Sequence, residues 1–264
     1  MTPARTRPLV AVDIGNTRFK LALFRGEDML RSPLAEPSAT LTVASAVELP
    51  LVNDWLERNG TEPADWFVAS VNRPASEQLR QFLASRQPSV AARFLTAADL
   101  PLAVQLENPD HAGIDRLAAA AAANRIREPG RPLVVADIGT AVTVDCLSPE
   151  GVFLGGAILP GLLTAARALN QMTDMLPLLE PRDFDSPPAA IGTNTPDAMR
   201  SGLYWGAVGA VRELVAQYAR GWPCAPQLVL TGGGGQSLAG EFDPVAQYLP
   251  HLTLSGIALA EPEP

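Results

Sequence analysis

The chain has 264 residues, 47% of them hydrophobic, enough to bury a core in one large or two smaller domains. A formal net charge of −8 at pH 7 argues against a nucleic-acid partner, whose phosphates demand basic patches. Cys146 and Cys224 are too few and too isolated for a disulfide framework or a metal site, and they suit a reducing cytoplasm.

In chain order, Leu9 to Val12 is the first predicted strand. Asp13 stops that apolar run after four residues, too soon for a leader peptide behind Arg5 and Arg7. A turn follows, and Arg18 to Arg25 is a second strand, with Phe19, Leu21 and Leu23 on one face. Leu51 to Arg58 reads as a helix behind Pro50 and stops at Gly60. Trp66 to Val71 is a strand, Pro74 to Arg86 a helix and Ala91 to Leu95 a short strand. An alanine-rich helix opens near Asp115 and runs to about Arg127. Glu128-Pro129-Gly130 breaks it, and this break predicts a boundary between halves 1–128 and 129–264.

The second half repeats the pattern, with strands from Pro132 to Ala136, to Cys146, and from Val152 to Leu154. A glycine-rich turn leads into a helix from Leu162 to about Thr173. The uncharged stretch Gly151 to Ala166 is broken by Gly155, Gly156, Pro160 and Gly161, so no membrane span is expected. A Pro- and Asp-rich loop, Pro177 to Pro188, precedes a long helix from Pro196 to about Arg220. The strand Gln227 to Thr231 then runs into Gly232-Gly233-Gly234-Gly235. This order predicts mixed α/β layers.

One phrase occurs twice, nearly half a chain apart: Asp13-Ile14-Gly15-Asn16-Thr17 and Asp137-Ile138-Gly139-Thr140, each between apolar runs. Asp-x-Gly is an ordinary hairpin signal. Its repetition supports a second reading, in which glycine amides and the Thr hydroxyl hold phosphate oxygens and the Asp supplies a hard oxygen to Mg²⁺. Lys20 follows the first copy. Neither copy is a P-loop, since no Gly-Lys-Ser/Thr follows. The four glycines after Thr231 would let an adenosine ring or ribose lie against backbone, or would form a flexible loop.

Asp115 behind Gly113 is either a helix-capping acid or a carboxylate that takes a substrate hydroxyl proton during phosphoryl transfer. Arg116 could pair with an anionic substrate or be a solvated helix residue. Thr195 before Pro196 is placed as an N-cap, and its hydroxyl could equally hold a small polar substrate. His111 and His251 have no metal-ligand spacing and read as surface or loop residues.

Five segments together resemble the type III pantothenate kinases in order and spacing. They are Asp13 to Thr17 with Lys20, Gly113-Ile114-Asp115-Arg116, Asp137 to Ala141, Gly155 to Gly161, and Ile191-Gly192-Thr193-Asn194-Thr195. The resemblance spans residues 9 to 259. It implies a duplicated ribonuclease-H-like fold, as in acetate and sugar kinases, heat-shock ATPases and actin, with ATP bound between two similar halves. It implies ATP-dependent phosphorylation of pantothenate, the first step of coenzyme A synthesis, by a cytoplasmic homodimer that uses Mg²⁺ and a potassium or ammonium ion. Carried over by position, Asp13, Ile14, Gly15, Asn16, Thr17, Arg18, Phe19, Lys20 and Thr140 would contact ATP, with Asp13 serving Mg²⁺ through the phosphates. Gly113, Ile114, Asp115, Arg116 and Thr195 would bind pantothenate, Asp115 would accept the proton, and Asp137 would ligate the monovalent cation. Leu106 stands where some members carry Tyr. Two other readings remain: a kinase of another small hydroxylated acid or sugar, and a catalytically idle regulatory accessory protein. Intact Asp13, Lys20, Asp115 and Asp137 speak against the idle reading.

Overall fold

The computed structural model describes residues 7–26, 33–61, 63–86, 92–244 and 246–260. The chain forms two compact units, one running to Ile126 and taking back the segment from His251, the other spanning Arg127 to Pro250.

In the first unit, β1 (Leu9–Ile14), β2 (Phe19–Phe24), β3 (Ala39–Val43), β4 (Asp65–Ser70) and β5 (Ala92–Phe94) form a sheet in the order β3-β2-β1-β4-β5. The β1, β2 and β3 pairings are antiparallel, whereas β4 and β5 join in parallel. Strand periodicity sends Val10, Val12, Ile14, Phe19, Leu21 and Leu23 to one face. There they pack with Trp55 and Leu56 of α1 (Leu51–Arg58) and with Leu79 and Leu83 of α2 (Arg73–Arg86). Each such buried aliphatic contributes about 1.5–3 kcal/mol. Against the sheet also lies α7 (Leu252–Ala258), touching β1, β2 and β4, and α3 (Ile114–Arg125) packs on α7 and β4. Alanines 118 to 123 of α3 are all buried, which only a helix of small side chains permits on every face.

The second unit repeats this topology. Its strands β6 (Leu133–Ile138), β7 (Ala141–Leu147), β8 (Phe153–Pro160), β9 (Gln227–Thr231) and β10 (Ala246–Tyr248) lie in the order β8-β7-β6-β9-β10. Val134, Ala136, Ile138, Val142 and Val144 pack against α4 (Leu162–Met172), α5 (Thr195–Ala219) and α6 (Gly235–Ala239). Within this core Tyr204 is fully buried, and its hydroxyl donates to the Ser237 carbonyl at 2.7 Å. Two similar halves with one strand order are the duplicated arrangement the sequence predicts.

Three expectations need correction. The glycines at 155 and 156 belong to a strand, not a turn: Gly155 takes φ +102°, and a β-carbon at Gly156 would overlap the Val144 carbonyl and lie 2.7 Å from the Asp145 Cα. They let β8 press against β7. The segment from His251 leaves the second half and joins the first, because α7 is mostly apolar and buries itself on β1, β2, β4 and α3. Finally, β3, α6, β10 and α7 were not predicted. The expected start of β5 at Ala91 lies outside the described residues.

Candidate active site

The first hairpin sets Asp13 directly opposite Lys20, on the face of β1 away from Val12 and Ile14. The Lys20 Nζ lies 3.4 Å from Asp13 Oδ2; the ammonium side chain is 40% exposed while Asp13 is nearly buried. Burial pushes the Asp13 carboxyl above the ordinary aspartate range; Lys20 opposes this and the Asp115 charge adds to it. The turn closes through the Gly15 amide donating to the Arg18 carbonyl at 3.1 Å, which leaves Asn16, Thr17 and Arg18 exposed. Gly15 has an ordinary φ, and a β-carbon there would meet nothing closer than 3.7 Å. The fold itself therefore does not require glycine at this point. Ile14 and Phe19 are core residues, so they can offer a ligand only their main chain.

Asp115 stands in the first turn of α3 and accepts from the Arg116 amide at 2.9 Å. Its carboxylate folds back over Gly113, where a β-carbon would lie 2.5 Å from Asp115 Oδ1. The obstacle is the end of a side chain, so a β-carbon there would displace the Asp115 carboxylate rather than clash with backbone. The Leu117 amide donates to the Gly113 carbonyl, so helix and motif start together. Asp115 acts on the titration of Asp13, which places the two carboxylates in one electrostatic neighbourhood. His251, read from sequence as a surface or loop residue, joins this group. Burial lowers its imidazole below the ordinary value, with Glu36 opposing and Lys20 adding to the effect. Nothing local in the sequence marks it, since it arrives from the far end of the chain.

In the second unit Asp137 occupies the same strand position as Asp13, but its cross-strand partner is Thr143. The turn has only Gly139 and Thr140 between strands. It is fastened from α4, because the Thr140 carbonyl accepts from the Gly161 amide at 3.0 Å and from the Thr164 hydroxyl at 2.6 Å. A β-carbon at Gly161 would overlap the Gly139 carbonyl. Of the four glycines after Thr231, three serve the fold. Gly232, at φ +87°, fits against Asp137 Oδ1 and the Ile138 carbonyl; Gly234 sits on Ile138, and Gly235 on the Tyr248 ring. Gly233 alone of the four is exposed with open space around it.

The N-cap of α5 is Asn194, not Thr195: the Asn194 Oδ1 accepts from the Asp197 amide at 2.9 Å. Thr195 is the first helical residue, exposed, with Pro196 behind it. Asn reaches the cap geometry one position earlier, so the Thr195 hydroxyl is not used for capping.

A family profile described as type III pantothenate kinase matches residues 9–217. "Type III pantothenate kinase 1" of Symbiobacterium thermophilum is 38% identical over 266 residues, covering 95% of each chain. Among solved structures, a conserved Baf family chain from Campylobacter jejuni has a TM-score of 0.59 at 23% identity, covering 94% of this chain and 95% of that one. A propionate kinase from Francisella tularensis has a TM-score of 0.55 at 11% identity, covering 96% and 98%. These structural likenesses establish the fold.

Proposed function

The chain belongs to the type III pantothenate kinase family, and on that premise we propose that it phosphorylates pantothenate from ATP in coenzyme A synthesis. The pantothenate hydroxyl oxygen forms a bond to the γ-phosphorus, the bond to the ADP oxygen breaks, and the hydroxyl proton passes to Asp115. Asp115 suits this role because it is a carboxylate in the first turn of α3 that is only partly buried. Arg116 and Thr195 are the polar groups assigned to the carboxylate and hydroxyls of the substrate. The exposed turn residues Asn16, Thr17 and Arg18 and the Lys20 ammonium are assigned to the phosphates, and Thr140 is assigned to ATP. Gly233 is the remaining glycine with room for a ring or ribose.

The residues also fit the expected ions. Asp137 Oδ1 and the Ile138 carbonyl both approach Gly232, a pair of hard oxygens suited to potassium or ammonium, and Asp13 supplies a carboxylate beside the phosphate turn for Mg²⁺. Bound there, the ions would neutralise phosphate charge.

The single observation that carries the reading is the Asp13–Lys20 pair at the foot of the exposed turn, with the Asp115 carboxylate in the same unit and its charge bearing on Asp13. The test is an ATP-dependent assay with potassium against pantothenate and a panel of small hydroxylated acids and sugars. Turnover specific to pantothenate is expected, and Asp115→Asn should lose about 10²–10⁴ in rate while still binding nucleotide. Near-normal turnover by Asp115→Asn would return this residue to helix capping.

The homodimer is part of the same proposal. Ile158, Met172, Met175, Leu178 and Ile191 of the second unit are large apolar side chains left exposed, as an association surface requires. Light scattering should give twice the 27.9 kDa chain mass. A cytoplasmic location is proposed with it, supported by the two unpaired cysteines; among the described residues no helix is long and apolar enough to cross a membrane.

A further inference from the structure

The last helix of the chain, α7, touches β1, which carries Asp13, and α3, which carries Asp115. Its seven residues are all buried. At Gly256 the two helices meet without a side chain between them: a β-carbon there would overlap the Ala118 carbonyl oxygen and carbon and lie 3.0 Å from the Ala118 Cα. The obstacle is helical backbone, which cannot swing aside as the end of a side chain can. Ala118 follows Asp115 by three residues, one turn along the same rigid helix, so α3 carries any shift at Ala118 to the carboxylate.

We infer that Gly256 is a positioning residue for Asp115. By letting α7 seat directly on the α3 backbone, it sets where α3 presents the base relative to the β1 carboxylate. This inference rests on Asp115 being the base. Added bulk at Gly256 meets the α3 backbone first, since the three atoms nearest to it all belong to Ala118, although α7 also touches β1 and β2, the strands of the Asp13–Lys20 hairpin. Displacement of a reacting group by about 1 Å can cost 10²-fold in rate, whereas nucleotide affinity should change far less.

The experiment compares Gly256→Ala with Ser255→Ala in the full chain. Ser255 is buried on the same helix, and its hydroxyl donates to the Ala35 carbonyl at 2.8 Å, so its loss weakens α7 without altering the Gly256 contact. For Gly256→Ala the expected result is a fall in kcat of tenfold or more, with KM for ATP and the affinity for a fluorescent ATP analogue within twofold of wild type. Ser255→Ala should lower the thermal midpoint and keep kcat per folded molecule. Should Gly256→Ala fail to fold, Ala118→Gly takes its place: it loosens the α3 side of the same backbone contact and should lower kcat at least threefold at unchanged nucleotide affinity. For whichever of the two folds, kcat within twofold of wild type overturns the inference. Asp115→Asn is assayed alongside. If it retains turnover, the assignment of the base has failed; if it is inactive and the Gly256 result is negative, only the positioning role has failed.

Discussion

The fifth residue of β1 is Asp13 opposite Lys20, and the fifth residue of β6 is Asp137 opposite Thr143. The phrase, the strand order and the hairpin are the same, yet the environments differ. The first Asp has a built-in cation and stands below an open four-residue turn. The second has a neutral Thr across from it, and its two-residue turn is held by Gly161 and Thr164. Duplication thus supplied one scaffold twice, and the side chain opposite the Asp separates the roles. On the proposal that Asp137 holds a monovalent cation, that ion does in the second hairpin what the Lys20 ammonium does in the first.

The largest test of this contrast is steric. Gly161→Ala drives a methyl into the backbone of the clamped turn, and overpacking against groups that cannot give should cost at least about 2 kcal/mol. Gly15→Ala in the open turn should leave stability within about 0.5 kcal/mol, because its nearest contact is ordinary, while weakening nucleotide binding. Denaturant unfolding of both variants measures this. Equal losses would show that the first turn is as tightly held as the second.

A charge exchange sharpens it further. Lys20→Ala should lower kcat/KM for ATP by about 10²–10³, the usual loss when one group stabilising transferred charge is removed. An unchanged kcat/KM would remove Lys20 from the site. Thr143→Lys recreates the first hairpin inside the second, and should make turnover indifferent to replacing potassium with sodium, where wild type falls in sodium alone. If wild type runs equally in both salts, the ion assignment for Asp137 is wrong.

Both hairpins could be read in the sequence because everything they need is local: an apolar run, an acid, a glycine and another apolar run. The same holds for α1, whose apolar face recurs at helical spacing, and for β9. What could not be read depends on distant partners. The exception is β3, which was not assigned although Ala39-Thr40-Leu41-Thr42-Val43 alternates apolar and polar residues at the period of a half-buried strand. In β8 the glycines look like a turn until β7 is seen to crowd them. Leu252 to Ala258 has no polar face and hence no period, since it is buried from every side, and its return to the first unit leaves no local trace. Within the site, Gly113 and Asp115 were legible as a pair, whereas the roles of Gly232, Gly234 and Gly235 were hidden in their contacts with Asp137, Ile138 and Tyr248. Asn194 took the cap assigned to Thr195 because both fit the rule and only geometry chooses between them.

The smallest expected effect concerns stability at the first Asp. Asp13 titrates above its ordinary value mainly because burial strips water from the charged form, and Lys20 only partly offsets this. With the folded pKa above the unfolded one, the carboxyl favours folding while protonated, at pH below its unfolded value of 3.8, and that contribution is lost as pH rises through the folded pKa. Above both values Asp13 costs stability. Asp13→Asn has no charge to bury, and the Lys20 ammonium it abandons is 40% exposed and can be solvated by water. The variant should therefore melt slightly above wild type at pH 7, with the gap narrowing as pH falls toward 4, even though it has lost a site carboxylate. Paired thermal melts across that range decide it. A variant that melts below wild type at pH 7 would mean that the Lys20 pair outweighs the burial cost, making the first hairpin a structural ion pair rather than a strained site.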